Sequence, residues 1–153
     1  MTREIEGALD GGGLHLGIVV ANWNRAITDR LLQGALERAK ELEVEDVTVM
    51  HVPGSLELPV AALALARDGC DAIVAIGAVI RGETDHYEIV VRECSAGLTR
   101  VALATGIPVA HAVLAVHDVS QARERSGPGP DNKGREAVDA AVSTANAIAG
   151  LGG

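Results

Sequence analysis

Four short segments of this chain carry the side chains that could do chemistry, and each follows an apolar run. The first, Ala21-Asn22-Trp23-Asn24-Arg25, holds the only Trp of a chain with one Tyr and no Phe. A core built without rings does not need an indole here. Trp23 serves either as an anchor at a subunit contact or as a flat platform for a flat heterocycle. The second segment is Pro53-Gly54-Ser55-Leu56-Glu57-Leu58-Pro59. A Pro-Gly turn leading into a helix leaves free N–H groups at the helix start. Glu57 there either accepts hydrogen bonds from sugar-like hydroxyls or answers the helix dipole as a first-turn acid.

The third segment, Gly77-Ala78-Val79-Ile80-Arg81-Gly82-Glu83-Thr84-Asp85-His86-Tyr87, is the most informative. Gly82 allows a close backbone turn, and Thr84 or Asp85 is placed to cap the next helix. Open N–H groups at a helix start attract anions. His86 in that first turn is either a proton-transfer group beside an anion or a His on a solvated face. The fourth segment holds His117 and Asp118, then Arg125 and Lys133 around a Gly-Pro loop. Arg offers phosphate a forked contact and Lys a point charge, unless both are ordinary surface cations. His51 and His111 lie in or at strands and read as packed residues, and His15 carries no signal. No His, Cys or carboxylate group has metal-ligand spacing. Cys70 and Cys94 stand alone, without a Cys-x-x-Cys motif, which suggests packing roles and a reducing compartment.

Elements must bring these segments together. The predicted strands are 14–20, 46–52, 71–79 and 107–116. Helices are predicted over 28–41, 58–67, 85–103, 118–125 with Asp118 as N-cap, and 132–149. Strand and helix alternate, and the strands are nearly all apolar. That pattern calls for a parallel sheet covered on both faces. The predicted fold is α/β, a three-layer flavodoxin-like sandwich with a central parallel sheet of about four strands. All four segments then follow strand ends of one polarity, at the carboxyl edge where ligands bind. Residues 1–13, ending Asp10-Gly11-Gly12-Gly13, read as a flexible N-terminal arm, and residues 14–153 as a single domain.

The composition fits one globular unit: 153 residues, 48% hydrophobic and 22% charged, with a mean hydropathy of +0.21. A net charge of −8 leaves no basic field, which argues against a nucleic-acid partner. The first residues lack a signal-peptide pattern and no apolar run reaches spanning length. The expectation is a soluble, cytoplasmic protein that does not engage membranes.

In this order and spacing the four segments resemble the lumazine synthase family, from about Leu14 to Ala149. The matching pieces are Gly17-Ile18-Val19-Val20-Ala21-Asn22-Trp23-Asn24, the Val52-to-Pro59 segment, the Gly77-to-Thr84 segment with His86, and Gln121-Ala122 with Glu124-Arg125 and Asn132-Lys133-Gly134. The resemblance implies condensation of 5-amino-6-(D-ribitylamino)uracil with 3,4-dihydroxy-2-butanone 4-phosphate to 6,7-dimethyl-8-ribityllumazine, the penultimate step of riboflavin biosynthesis, without metal or redox cofactor. It implies that Trp23 stacks on the pyrimidine, that Ser55, Leu56 and Glu57 hold the ribityl chain, and that Val79 and Ile80 edge the heterocycle. Glu83 and Thr84 would offer backbone to the phosphate, Arg125 its fork, and His86 would transfer protons. Lys133 would stand near the substrate ring.

The resemblance also implies a homopentamer, alone or as an icosahedral shell of pentamers, with each site between two subunits. His111, Arg125 and Lys133 would come from the neighbour. Arg125 and Lys133 are joined without an insertion that would hinder a shell. His111 departs from the Phe or Asn common at its position, and Ala115-Val116-His117-Asp118 departs from the usual Thr-Thr run. Two rivals are a related riboflavin synthase and a non-catalytic flavin-binding shell protein. A full set of site residues argues against the first, and His86 with Arg125 against the second.

Overall fold

The β-branched runs form strands and the apolar stripes between them form helices. The computed structural model describes residues 1–152. In chain order the elements are β1 (His15–Ala21), α1 (Arg25–Glu41), β2 (Asp46–Val52), a 3-10 turn (Ser55–Glu57), α2 (Leu58–Arg67) and β3 (Ala72–Ile80). After them come α3 (His86–Thr105), β4 (Val109–Val116), α4 (Val119–Arg125) and α5 (Lys133–Gly152). The four strands are all parallel, in the order β2-β1-β3-β4.

Side chains alternate across a strand, so each strand feeds two cores. Leu16, Ile18 and Val20 of β1 pack with α1 and α5, on Leu31, Ala35, Val138 and Val142. Val19 and Ala21 face the other way, with Leu58 and Leu65 of α2 and Cys94 and Leu98 of α3. Both faces of the sheet are therefore covered, as a parallel sheet requires. This is the α/β three-layer arrangement expected. Cys70 and Cys94 are buried and unbridged. Burial pushes both thiols up to about 11, which leaves them inert as packing groups. Among the described residues no helix is long and apolar enough to cross a membrane.

Several local expectations need correction. His51 and His111 are exposed rather than packed. They lie on the two edge strands, which the helices cover only in part. Asp85 occupies the N-cap position of α3 but makes no side-chain cap bond. The Thr84 hydroxyl instead accepts from the His86 N–H at 3.4 Å. Asp118 does cap α4, accepting from the Gln121 N–H at 3.0 Å. A hydrogen bond from the Ser120 hydroxyl and one from the Gln121 amide hold its carboxyl below the usual range.

Helices α1 and α5 approach closely because small residues face each other. A Cβ on Gly134 would run into the Leu31 carbonyl oxygen, a backbone atom that cannot swing away. Gly134→Ala should therefore cost about 1–3 kcal/mol through overpacking. Urea unfolding at fixed protein concentration checks this, and parent stability would refute it. Asn132 closes the same junction. Its side chain accepts from Gly134 N at 2.8 Å and donates to the Arg30 carbonyl at 3.2 Å and the Gly127 carbonyl at 3.0 Å. That bonding stiffens the Gly-Pro loop and sets where Lys133 begins α5. Residues before β1 form no regular element. They run along α5, where the Ser143 hydroxyl donates to Gly7 O at 2.9 Å and Asn146 Nδ2 to Ala8 O and Asp10 O, both at 2.8 Å.

Candidate active site

The first three strands end side by side, and the segments that follow them converge. The chain leaves β1 under control of the next strand's exit. Asn22 N donates to Val52 O at 2.7 Å and Trp23 N to Pro53 O at 3.1 Å. Trp23 remains 65% exposed, so its indole is presented rather than used as core. The ring lies on Gly54: a Cβ there would sit 2.5 Å from Cε3 and Cζ3. Glycine at 54 therefore acts as a flat shelf for the indole.

The 3-10 turn that follows buries Ser55 and leaves Leu56 exposed and Glu57 half-buried. Ser55 approaches β3 closely because position 77 is glycine. A Cβ on Gly77 would meet Ser55 Oγ at 2.6 Å. Glu57 forms no ion pair among the described residues, so its carboxylate is available as an acceptor. Val79 and Ile80 end β3 half-buried. An exposed loop, 81–85, then carries Glu83 and Thr84 to the start of α3, whose first residue is His86. Arg81 spans this loop. Its guanidinium lies 3.7 Å from Glu88 and 5.6 Å from the centroid of the Tyr87 ring.

Seven of the predicted residues, Trp23, Ser55, Leu56, Glu57, Val79, Ile80 and His86, line one cleft of about 290 Å³. The cleft offers a ring surface, strand backbone, an acceptor and a titratable imidazole. A mostly apolar cleft with a few placed polar groups suits a flat polar heterocycle. Glu83 and Thr84 stand outside its lining.

His111, Arg125 and Lys133 do not join it. They line a second hollow, of about 220 Å³, along β4. Helix α4 delivers Arg125 in its last turn, where its Nη1 donates to Gln121 O at 2.9 Å. Lys133 Nζ lies 2.8 Å from Glu136. The two cations keep about half of their side-chain surface open, at 42% and 44%. The His111 side chain reaches solvent, yet the strand surface around it removes enough water to lower its pKa. This hollow can receive an anion. A third hollow, about 260 Å³, lies between α1 and the 126–132 loop and contains none of the predicted residues. Among the described residues no cluster of three or more His, Cys, Asp or Glu could hold a metal ion.

Nothing in the sequence marks Asn24, Gly77 or Arg81 as part of the site, and Gly54 shows there only as a turn residue. Positive φ at Asn24 and the tight approaches at the glycines are consequences of long-range packing. Only the glycines themselves hinted at close approach.

The family described as 6,7-dimethyl-8-ribityllumazine synthase matches residues 13–149. The 6,7-dimethyl-8-ribityllumazine synthase of Kineococcus radiotolerans is 45% identical over 150 residues, covering 97% of this chain and 92% of the relative. That of Thermococcus kodakarensis is 44% identical over 145 residues, covering 94% and 92%.

Proposed function

This chain belongs to the 6,7-dimethyl-8-ribityllumazine synthase family, and from that premise we propose how its two hollows serve one reaction. The enzyme is a transferase. It condenses 5-amino-6-(D-ribitylamino)uracil with 3,4-dihydroxy-2-butanone 4-phosphate, releasing orthophosphate and water. Each hollow is half of a site, and the other half comes from a second copy of the chain. One observation supports this reading: apart from Glu83 and Thr84, the residues expected to serve the substrates fall into two separate hollows on one chain.

In the pyrimidine half, Trp23 stacks on the ring and Val79 and Ile80 edge it with backbone. Ser55, Leu56 and Glu57 hold the ribityl chain, with Glu57 accepting from its hydroxyls. In the phosphate half, Arg125 grips the phosphate, and backbone at Glu83 and Thr84, on the loop before His86 of the copy that supplies the pyrimidine half, reaches it from the other side. Lys133 faces the ring system, and His111, whose pKa partial desolvation lowers, lines the wall. The amine attacks the ketone carbon, water leaves and an imine forms. The phosphate-bearing carbon then loses orthophosphate, and the ring closes with loss of a second water. His86 moves the protons. Holding two reactants in line supplies most of the rate, equivalent to about 7–11 kcal/mol in well-oriented systems. Proton transfer adds roughly 10²–10⁴-fold. No metal or redox cofactor enters these steps.

A ring of five copies, closed on itself or gathered into an icosahedral shell, completes every site. Exposed Leu56, Val60, Ile89 and Leu103 support a covering partner on the α2–α3 side. We read residues 14–153 as the catalytic domain, residues 1–13 as an arm outside it, and the enzyme as cytoplasmic. The direct test is to mix the two substrates with pure protein. The lumazine chromophore and orthophosphate should appear in equal amounts, and their absence would overturn the assignment.

Trp23 offers a specific check. It is the only Trp, so its fluorescence reports this cleft alone. A pyrimidine ligand should quench it, and Trp23→Ala should raise the pyrimidine KM roughly tenfold with a smaller fall in kcat. No quenching at saturation would make Trp23 a contact anchor instead.

A further inference from the structure

Asn24 has no part in the assignment above, yet it lines the cleft in an unusual backbone conformation. Its backbone is left-handed, at φ 63° and ψ 46°, a conformation shared among non-glycine residues only with Glu43 within the described chain. Asn adopts this region at lower cost than most residues. It also occupies the N-cap position of α1, where an Asn side chain ordinarily accepts from the helix's first N–H groups. Here it makes no such bond. Its Nδ2 donates instead to Ala78 O, at 2.7 Å in a half-buried setting.

The sheet register explains that choice. Strands β1 and β3 pair only as far as Val20 with Ile76, whereas β3 continues to Ile80. Alternate residues of a central strand face opposite neighbours. Ile73 N–H bonds to Pro108 O and Arg81 N–H to Val116 O, both on the β4 side. Ala78 therefore faces the other side, past the last paired residue of β1. Its carbonyl lies where the ladder has run out, and the Asn24 amide supplies one more rung. The two residues joined are 54 apart in sequence. One adjoins Trp23 and the other adjoins Val79, and all four residues line the cleft.

We propose that Asn24 is a positioning residue that clips the Trp23 segment to the end of β3, setting the gap into which the pyrimidine slides. The proposal rests on the reading that Trp23 stacks on the pyrimidine. Its left-handed turn reverses the chain so that the indole lies over Gly54, and its amide holds the opposing strand end at a fixed distance. Loss of the amide frees the ring without touching the phosphate half.

The experiment uses Asn24→Gly, which keeps the left-handed backbone and removes only the side chain. Time-resolved anisotropy of Trp23 and both KM values are measured on the assembled enzyme, with Asn24→Asp alongside. Asn24→Gly should loosen the indole, seen as a larger fast decay, and raise the pyrimidine KM roughly tenfold. The butanone phosphate KM and kcat should stay at parent values. Asn24→Asp keeps the shape but presents a carboxylate to the Ala78 carbonyl, and it should be at least as impaired. If Asn24→Gly leaves either the anisotropy or the pyrimidine KM unchanged, the proposal is overturned. A raised KM with a rigid indole would make Asn24 a direct ligand contact rather than a clip. If the parent Trp23 does not respond to pyrimidine at all, the stacking reading falls and takes the proposal with it.

Discussion

Arg125→Ala should raise the KM for 3,4-dihydroxy-2-butanone 4-phosphate by about tenfold to a hundredfold, because charge-assisted bonds are worth roughly 1.5–3 kcal/mol each. The Gln121 carbonyl occupies one edge of the guanidinium, and the rest of the fork faces the hollow it shares with His111 and Lys133. Glu124 is a weak competitor, at 3.8 Å and largely solvent-exposed. Lys133 remains in the variant and limits the loss, since its ammonium supplies a point charge but no planar fork. The pyrimidine substrate carries no phosphate, so its KM should hold, and competitive inhibition by inorganic phosphate should weaken in parallel. His86→Ala should show the opposite pattern. Both KM values should hold while kcat falls by roughly a hundredfold or more, because the substrates remain aligned and only proton transfer is lost. Steady-state kinetics of the two variants side by side decide the matter. An unchanged butanone phosphate KM and unchanged phosphate inhibition in Arg125→Ala would place the phosphate elsewhere.

The elements that position these residues were legible wherever periodicity is strong and bounded by turn residues. Strand β2 and helix α2 match their predicted bounds because Pro53-Gly54 and Asp68-Gly69 stop them. Helix α1 begins at Arg25 rather than Thr28 because the left-handed Asn24 turns the chain before the apolar stripe starts. Strand β4 begins at Val109 rather than Ile107 because Pro108 cannot donate to a ladder. The Ser55–Glu57 turn is a single 3-10 turn, too short to leave a period. It nevertheless aims three of the residues that line the first cleft.

Grouping was legible for the first cleft, since parallel strands put Trp23, Glu57 and His86 at one edge. It was not legible for the second hollow. Four strand ends at a shared edge suggest one site, yet β4 lies at the sheet's margin and its cations open along that margin. Residue pattern alone could not separate those cations from ordinary surface charge; only the family resemblance singled them out as site candidates. Asn24 was not legible because its partner is a backbone carbonyl on another strand, which no side-chain pattern records.

The division of the site between copies can be tested with two defective chains. One carries Trp23→Ala and His86→Ala, and the other Arg125→Ala and Lys133→Ala. The first has a damaged pyrimidine half and an intact phosphate half, and the second the reverse. Each homo-oligomer contains only damaged sites and should be nearly inactive at low substrate. Co-expressed in equal amounts, the chains would be distributed at random around the proposed ring with its head-to-tail contacts. Both halves are intact only where the second chain donates its pyrimidine half and the first its phosphate half. By chance that occurs at about a quarter of the interfaces in a closed heterologous ring. The mixed enzyme, purified through two different tags, should therefore recover about a quarter of parent activity, with parent KM values, against such a ring. Activity no higher than that of the two defective chains measured apart, in an assembly shown to contain both, would mean that each chain completes its own site.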